Sequence, residues 1–116
     1  MDTVIAETVQ YLSKCDGIHL SFDIDGIDPV SMPGVGTPVA GGISYEDSLR
    51  ALQLLAELDA IISAEFVELN PLLDKDSRTT KAAMDLIAAF VGEKSRSDTA
   101  YHSDIWQPEL TATIKG

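Results

Sequence analysis

Apolar residues recur along this chain with two periods. Between residues 3 and 14, Ile5, Val9 and Leu12 fall at i, i+4 and i+7, one face of a helix that Gly17 closes. Residues 18–25 alternate instead. Ile18, Leu20, Phe22 and Ile24 interleave with His19, Ser21, Asp23 and Asp25, which is the period of a strand. A second helix is predicted from about Ser44, a natural N-cap with Asp47 three residues on. Leu49, Leu52, Leu55 and Ala56 form its apolar stripe. Residues 61–69 read as a buried strand that stops at Asn70-Pro71. A third helix is predicted over 78–91, capped by Ser77 or Asp76 and ended by Gly92, with Ala83, Leu86, Ile87 and Phe90 inward.

The order helix, strand, helix, strand, helix implies a parallel sheet and an α/β fold. Two parallel strands make a poor sheet, since parallel strands want cover on both faces and neighbours on both edges. The pattern therefore reads as part of a larger α/β domain with an incomplete sheet. Residues 26–43 carry five glycines and three prolines in one long loop, the kind that is usually functional in a compact domain. After Lys94 the periodicity ends. Residues 1–94 are read as the domain, and 95–116, with Trp106 and His102, as a polar tail foreign to it.

Charge narrows the functions. Lys and Arg number 8 against 19 Asp and Glu, a net charge of -11. Phosphate binding needs clustered cations, so nucleic acid and anionic membrane surfaces are excluded as partners. No run approaches the ~20 apolar residues of a membrane span. The single cysteine, Cys15, cannot close an internal disulfide and is read as a small apolar filler. With no signal-like start, this places the chain in a reducing cytoplasm.

The chemistry concentrates in Ser21-Phe22-Asp23-Ile24-Asp25-Gly26-Ile27-Asp28-Pro29. Asp23 and Asp25, two apart on a strand, are expected on one face at its carboxyl end, where open α/β sheets place ligands. Paired carboxylates repel, and a bound cation relieves them. Asp28 is read as a loop cap. His19 would lie ~13 Å from Asp23 along the strand, too far to share an ion, and is read as a packed core histidine. An EF-hand starting at Asp23 fails, because Asp28 and Gly34 stand where Gly and Glu are needed. A P-loop fails because Gly42 replaces the lysine. The Asp-x-Asp-Gly run also resembles haloacid-dehalogenase phosphatases, but Ile27 replaces the usual threonine.

A wider likeness is to the arginase/agmatinase (ureohydrolase) family. Ser21 to Asp25, Pro29, Pro33-Gly34 and Gly42 resemble that family's last metal signature. Gly36-Thr37-Pro38 resembles its following loop, and Glu65 to Pro71 the strand ending at its substrate site. The likeness covers residues 3–94 but only the carboxyl-terminal third or so of the family's domain. It implies the corresponding portion of a three-layer αβα parallel-sheet fold. It also implies a hydrolase with two Mn²⁺ ions, whose bridging hydroxide attacks the guanidinium carbon of L-arginine to give L-ornithine and urea. In that scheme Asp23 bridges both ions and Asp25 ligates one. Glu68 pairs with the guanidinium, Thr37 helps position it, and Glu65, on the other face of its strand, plays a supporting role. Leu72-Leu73-Asp74 after the strand looks more like bacterial arginases than agmatinases.

The family's Asp-x-His-x-Asp motif is not found in these 116 residues. The chain thus reads as an arginase fragment, inactive alone, that needs the missing amino-terminal part or self-association. Two other readings stand beside it. One is a non-catalytic remnant that binds partner chains through open sheet edges; the other is a Mg²⁺ phosphatase of the haloacid-dehalogenase kind.

Overall fold

Ile18–Asp23 (β1) and Ile61–Val67 (β2) pair side by side as parallel strands, with Phe22 opposite Phe66 and Asp23 opposite Val67. The computed structural model describes residues 1–92, and the reading of 95–116 as a tail lies outside them. Three helices accompany the strands: α1 (Asp2–Leu12), α2 (Tyr45–Leu58) and α3 (Arg78–Phe90). The expected order holds, and the fold is α/β with a two-stranded, incomplete sheet.

The core lies on one face of that sheet. Leu20, Phe22 and Phe66 meet Leu52 of α2 and Ala83, Leu86 and Phe90 of α3. The Phe22 and Phe66 rings stand 5.5 Å apart and Phe66 meets Phe90 edge-on at 5.9 Å. Such offset aromatic pairs add to the burial of their area. Helix α1 is more lightly attached. It buries no residue fully and touches α2, partly through an exposed Asp2–Arg50 ion pair that contributes little.

The opposite face carries His19, Ser21 and Asp23 from β1 and Ser63 and Glu65 from β2, all exposed. His19 is therefore not a packed core histidine. Its Nδ1 lies 2.8 Å from the Ser63 hydroxyl, and its side chain is half exposed because no helix among the described residues covers this face. Ser21 likewise donates to Glu65 across the pair at 2.8 Å.

The long loop is not a peripheral ornament. Ile24, Ile27, Met32 and Val35 are among the most buried residues of the chain, at 2 % exposure or less. Asp28 caps it as expected, its carboxylate accepting from the Val30 and Gly41 amides at 2.9 and 3.2 Å. Ile27 and Ile43 bridge its two ends. At that closure a Cβ on Gly42 would stand 2.5 Å from the Gly26 carbonyl oxygen, and backbone cannot step aside. Gly42→Ala is therefore expected to destabilise the chain by ~1–3 kcal/mol in urea melts. Gly36→Ala meets nothing within 4 Å and should be close to neutral.

Candidate metal and substrate site at the strand ends

Parallel pairing brings the carboxyl ends of both strands together. Asp23 is the last residue of β1 and pairs with Val67, the last of β2, so Glu68 follows directly beside it. Glu68 is exposed and left-handed at φ 70, uncommon for a side chain with a Cβ. Non-glycine residues held there tend to mark functional sites. The strand predicted over 61–69 therefore ends at Val67, and Leu69 instead bridges Val35 of the loop.

Asp25 does not continue the strand on Asp23's face. The Asp23 carboxylate accepts the Asp25 amide at 2.9 Å, and the chain turns over Ile24–Gly26. Local side-chain-to-backbone bonds of this kind compete with strand pairing. Burial of Ile24 and Ile27 draws the turn inward, and Asp25 goes with it to 7 % exposure. Two-residue alternation could not reveal this, because it assumes the strand continues.

Asp25 is held from one side only. Its Oδ2 accepts the Thr37 hydroxyl at 2.6 Å and the Thr37 amide at 3.2 Å. Its Oδ1 is buried, and no donor among the described residues reaches it. An unsatisfied buried carboxylate oxygen is costly, and a hard cation is the ligand that relieves it. Asp23 and Asp25 thus have the chemistry of part of a divalent-metal site. Among the described residues no three His, Cys, Asp or Glu side chains converge as a complete one.

The third helix starts differently from the prediction. Neither Ser77 nor Asp76 caps it, since both are left-handed and Ser77 makes no cap bond. These two residues fold the chain so that Asp74 reaches the helix start. Its carboxylate accepts the Thr79 amide at 2.8 Å, the Thr80 amide at 2.7 Å and the Thr80 hydroxyl at 2.6 Å. Burial works against the Asp74 charge, but the hydrogen bonds from Thr80 and Thr79 outweigh it and hold its carboxyl at about 2, below the usual 3.8. A depressed carboxylate stabilises the fold above its unfolded value and loses that contribution as pH falls through the folded one. Protection of the Thr79 and Thr80 amides against exchange, taken relative to their intrinsic rates, is therefore expected to fall between pH 4 and 2, and to do so less in Asp74→Asn.

The surrounding residues are ones the periodicity did not single out. Thr79 is fully buried, and its hydroxyl accepts the Gly34 amide at 2.7 Å. The Gly34 carbonyl accepts the Asn70 amide at 3.0 Å. An apolar stripe counts only apolar residues, so a buried threonine in the first turn escapes it.

Residues 1–92 match the family model described as "Arginase family". The arginase of Bacillus subtilis is 54% identical over 94 residues, 81% of this chain and 32% of that protein. Its crystal structure superposes with a TM-score of 0.76, covering 80% of this chain and 33% of that one. The Entamoeba histolytica arginase, solved in complex with L-ornithine, is 40% identical at a TM-score of 0.73, covering 78% of this chain and 30% of that one. A Trypanosoma cruzi formiminoglutamase, solved with Mn²⁺, is 25% identical at a TM-score of 0.65 over 75% of this chain and 30% of that one. The chain spans about a third of the length of the curated relatives it matches. Matched by the family model over residues 1–92 and 54% identical to a curated arginase, this chain belongs to the arginase family.

Proposed function

We infer that this chain supplies the carboxyl-terminal share of a binuclear manganese site in an arginase-type hydrolase, which cleaves L-arginine to L-ornithine and urea. The observation that carries the reading is the buried Asp25 carboxylate next to Asp23, with one oxygen clasped by Thr37 and the other without a partner among the described residues. Asp23 and Asp25 hold the metal. Bound there, paired Mn²⁺ ions would polarise a water at neutral pH and orient the substrate. Glu68 accepts hydrogen bonds from the guanidinium and balances its charge. Thr37 fixes Asp25 with its proton and keeps lone pairs to accept from a guanidinium N–H.

Two carboxylates are too few ligands for a stable pair of ions, so the remaining two-thirds of the family's length is needed to complete the site. The L-ornithine in the Entamoeba histolytica relative and the Mn²⁺ in the Trypanosoma cruzi one support the substrate and the metal. Membership of the arginase family replaces the haloacid-dehalogenase reading of Asp23 to Gly26. A net charge of -11 suits a cationic substrate rather than a nucleic acid, and the exposed thiol of Cys15 suits a reducing cytoplasm. Among the described residues no helix is long and apolar enough to cross a membrane.

Mn²⁺ titration of the chain followed by electron paramagnetic resonance tests the metal assignment. Weak binding that disappears in Asp23→Asn is expected. Binding that is equal in the two proteins would contradict it.

A further inference from the structure

One buried hydroxyl is linked to both arms of the site. Thr79, at 0 % exposure in the first turn of α3, accepts the Gly34 amide at 2.7 Å, and Asp74 secures Thr79 by accepting its amide at 2.8 Å. The contact is close on every side. A Cβ on Gly34 would stand 2.6 Å from the Asp74 Cβ and 2.8 Å from the Thr79 Oγ1. From Gly34 two paths lead out. Its carbonyl accepts the Asn70 amide, and Val35 bridges Leu69, which places the loop against the residues that follow Glu68. Two residues beyond Val35, Thr37 clasps Asp25 through its amide and hydroxyl.

We propose that Thr79 is a positioning residue, whose hydroxyl fixes the Gly34 peptide and so holds Asp25, through Thr37, in register with the Glu68 arm. This rests on the reading of Asp25 as a metal ligand. A buried amide that loses its acceptor cannot stay where it is without cost, so the loop must shift to find water. Buried Met32 and Val35 anchor the loop on either side, and between them the two peptide hydrogen bonds of Gly34 set how its peptide is oriented. Thr37 is the direct partner of Asp25, and loss of such a partner commonly costs about 10–100-fold in metal affinity, so Thr79, one link further out, is expected at the lower end of that range.

The test uses the full chain and two variants, Thr79→Val and Thr79→Ser, with two readouts. The first is amide exchange at Gly34 and Thr37, measured by NMR against Leu52 and Leu55 of α2 as a folding control. The second is the Mn²⁺ dissociation constant. In Thr79→Val, exchange at both loop amides is expected to quicken and Mn²⁺ affinity to fall by about 10-fold, with the α2 amides unchanged. Thr79→Ser, which keeps the hydroxyl, is expected to restore both. Unchanged exchange at Thr37 in Thr79→Val would overturn the proposal. So would equal loosening of α2 and the loop, or a serine variant no better than valine. If the native chain binds no Mn²⁺, the metal reading fails on its own, and the Thr37 amide still decides whether Thr79 positions the loop.

Discussion

Glu68→Gln is expected to lower kcat/KM for L-arginine by about 100-fold in an enzyme reconstituted from this chain and the amino-terminal two-thirds of a Bacillus arginase. Glutamine keeps the size and one acceptor but removes the charge. A guanidinium left facing a neutral amide in a desolvated site loses on the order of 2–5 kcal/mol. The left-handed backbone at residue 68 is unaffected, because glutamine differs only at the end of the side chain. Glu57→Gln is the control. Glu57 lies exposed on α2, away from the strand ends, and its replacement should leave activity within a few-fold. Steady-state urea release from the two variants separates the roles. Equal losses would mean that Glu68 is not the substrate's counter-charge.

Leu52→Ala carries the largest expected effect on stability. Leu52 is fully buried at the centre of α2, between the aromatic face of the sheet and α3. Removing three carbons there leaves a cavity costing ~2–5 kcal/mol. Small domains hold only about 0.05–0.15 kcal/mol per residue. With two strands and one face left uncovered by the described residues, the sheet has little in reserve. Leu52→Ala is thus expected to abolish a cooperative melt by circular dichroism, whereas Met84→Ala, at a 61 % exposed position of α3, should shift it hardly at all. A cooperative Leu52→Ala melt near the native midpoint would show that the core lies elsewhere.

The sequence disclosed the elements because each is locally consistent. The 3.6-residue stripes of α2 and α3 and the alternation of β1 survive into the structure, and Ser44 caps α2 by accepting the Asp47 amide. It disclosed the parallel pairing because parallel neighbours need a crossover, and the helix between the two strands supplies one. What periodicity could not supply were features set by contacts distant in sequence. Asp25 leaves the strand face because a turn and two buried isoleucines outweigh the alternation. Asp74 displaces Ser77 and Asp76 as the cap because two left-handed residues redirect the chain. His19 is exposed because the layer that would cover it is not formed by residues 1–92. The Thr79–Gly34 bond spans 45 residues, and no local pattern encodes it.

Asp23, Asp25, Thr37 and Glu68 came to notice through the family resemblance and not through periodicity. The structure puts Asp23 and Glu68 at adjacent strand ends and joins Asp25 to Thr37 of the loop after β1, while their roles belong to the proposed function. Thr37 proves to clasp Asp25 directly, a link the signature does not announce.

The most direct test of a shared site is complementation. This chain and a separately produced amino-terminal two-thirds of the Bacillus subtilis arginase would be mixed with Mn²⁺ and L-arginine, and urea measured. No urea is expected from either piece alone, urea is expected from the mixture, and none is expected when Asp23→Asn is used. Urea release by this chain alone, or none from pieces that demonstrably associate, would contradict it.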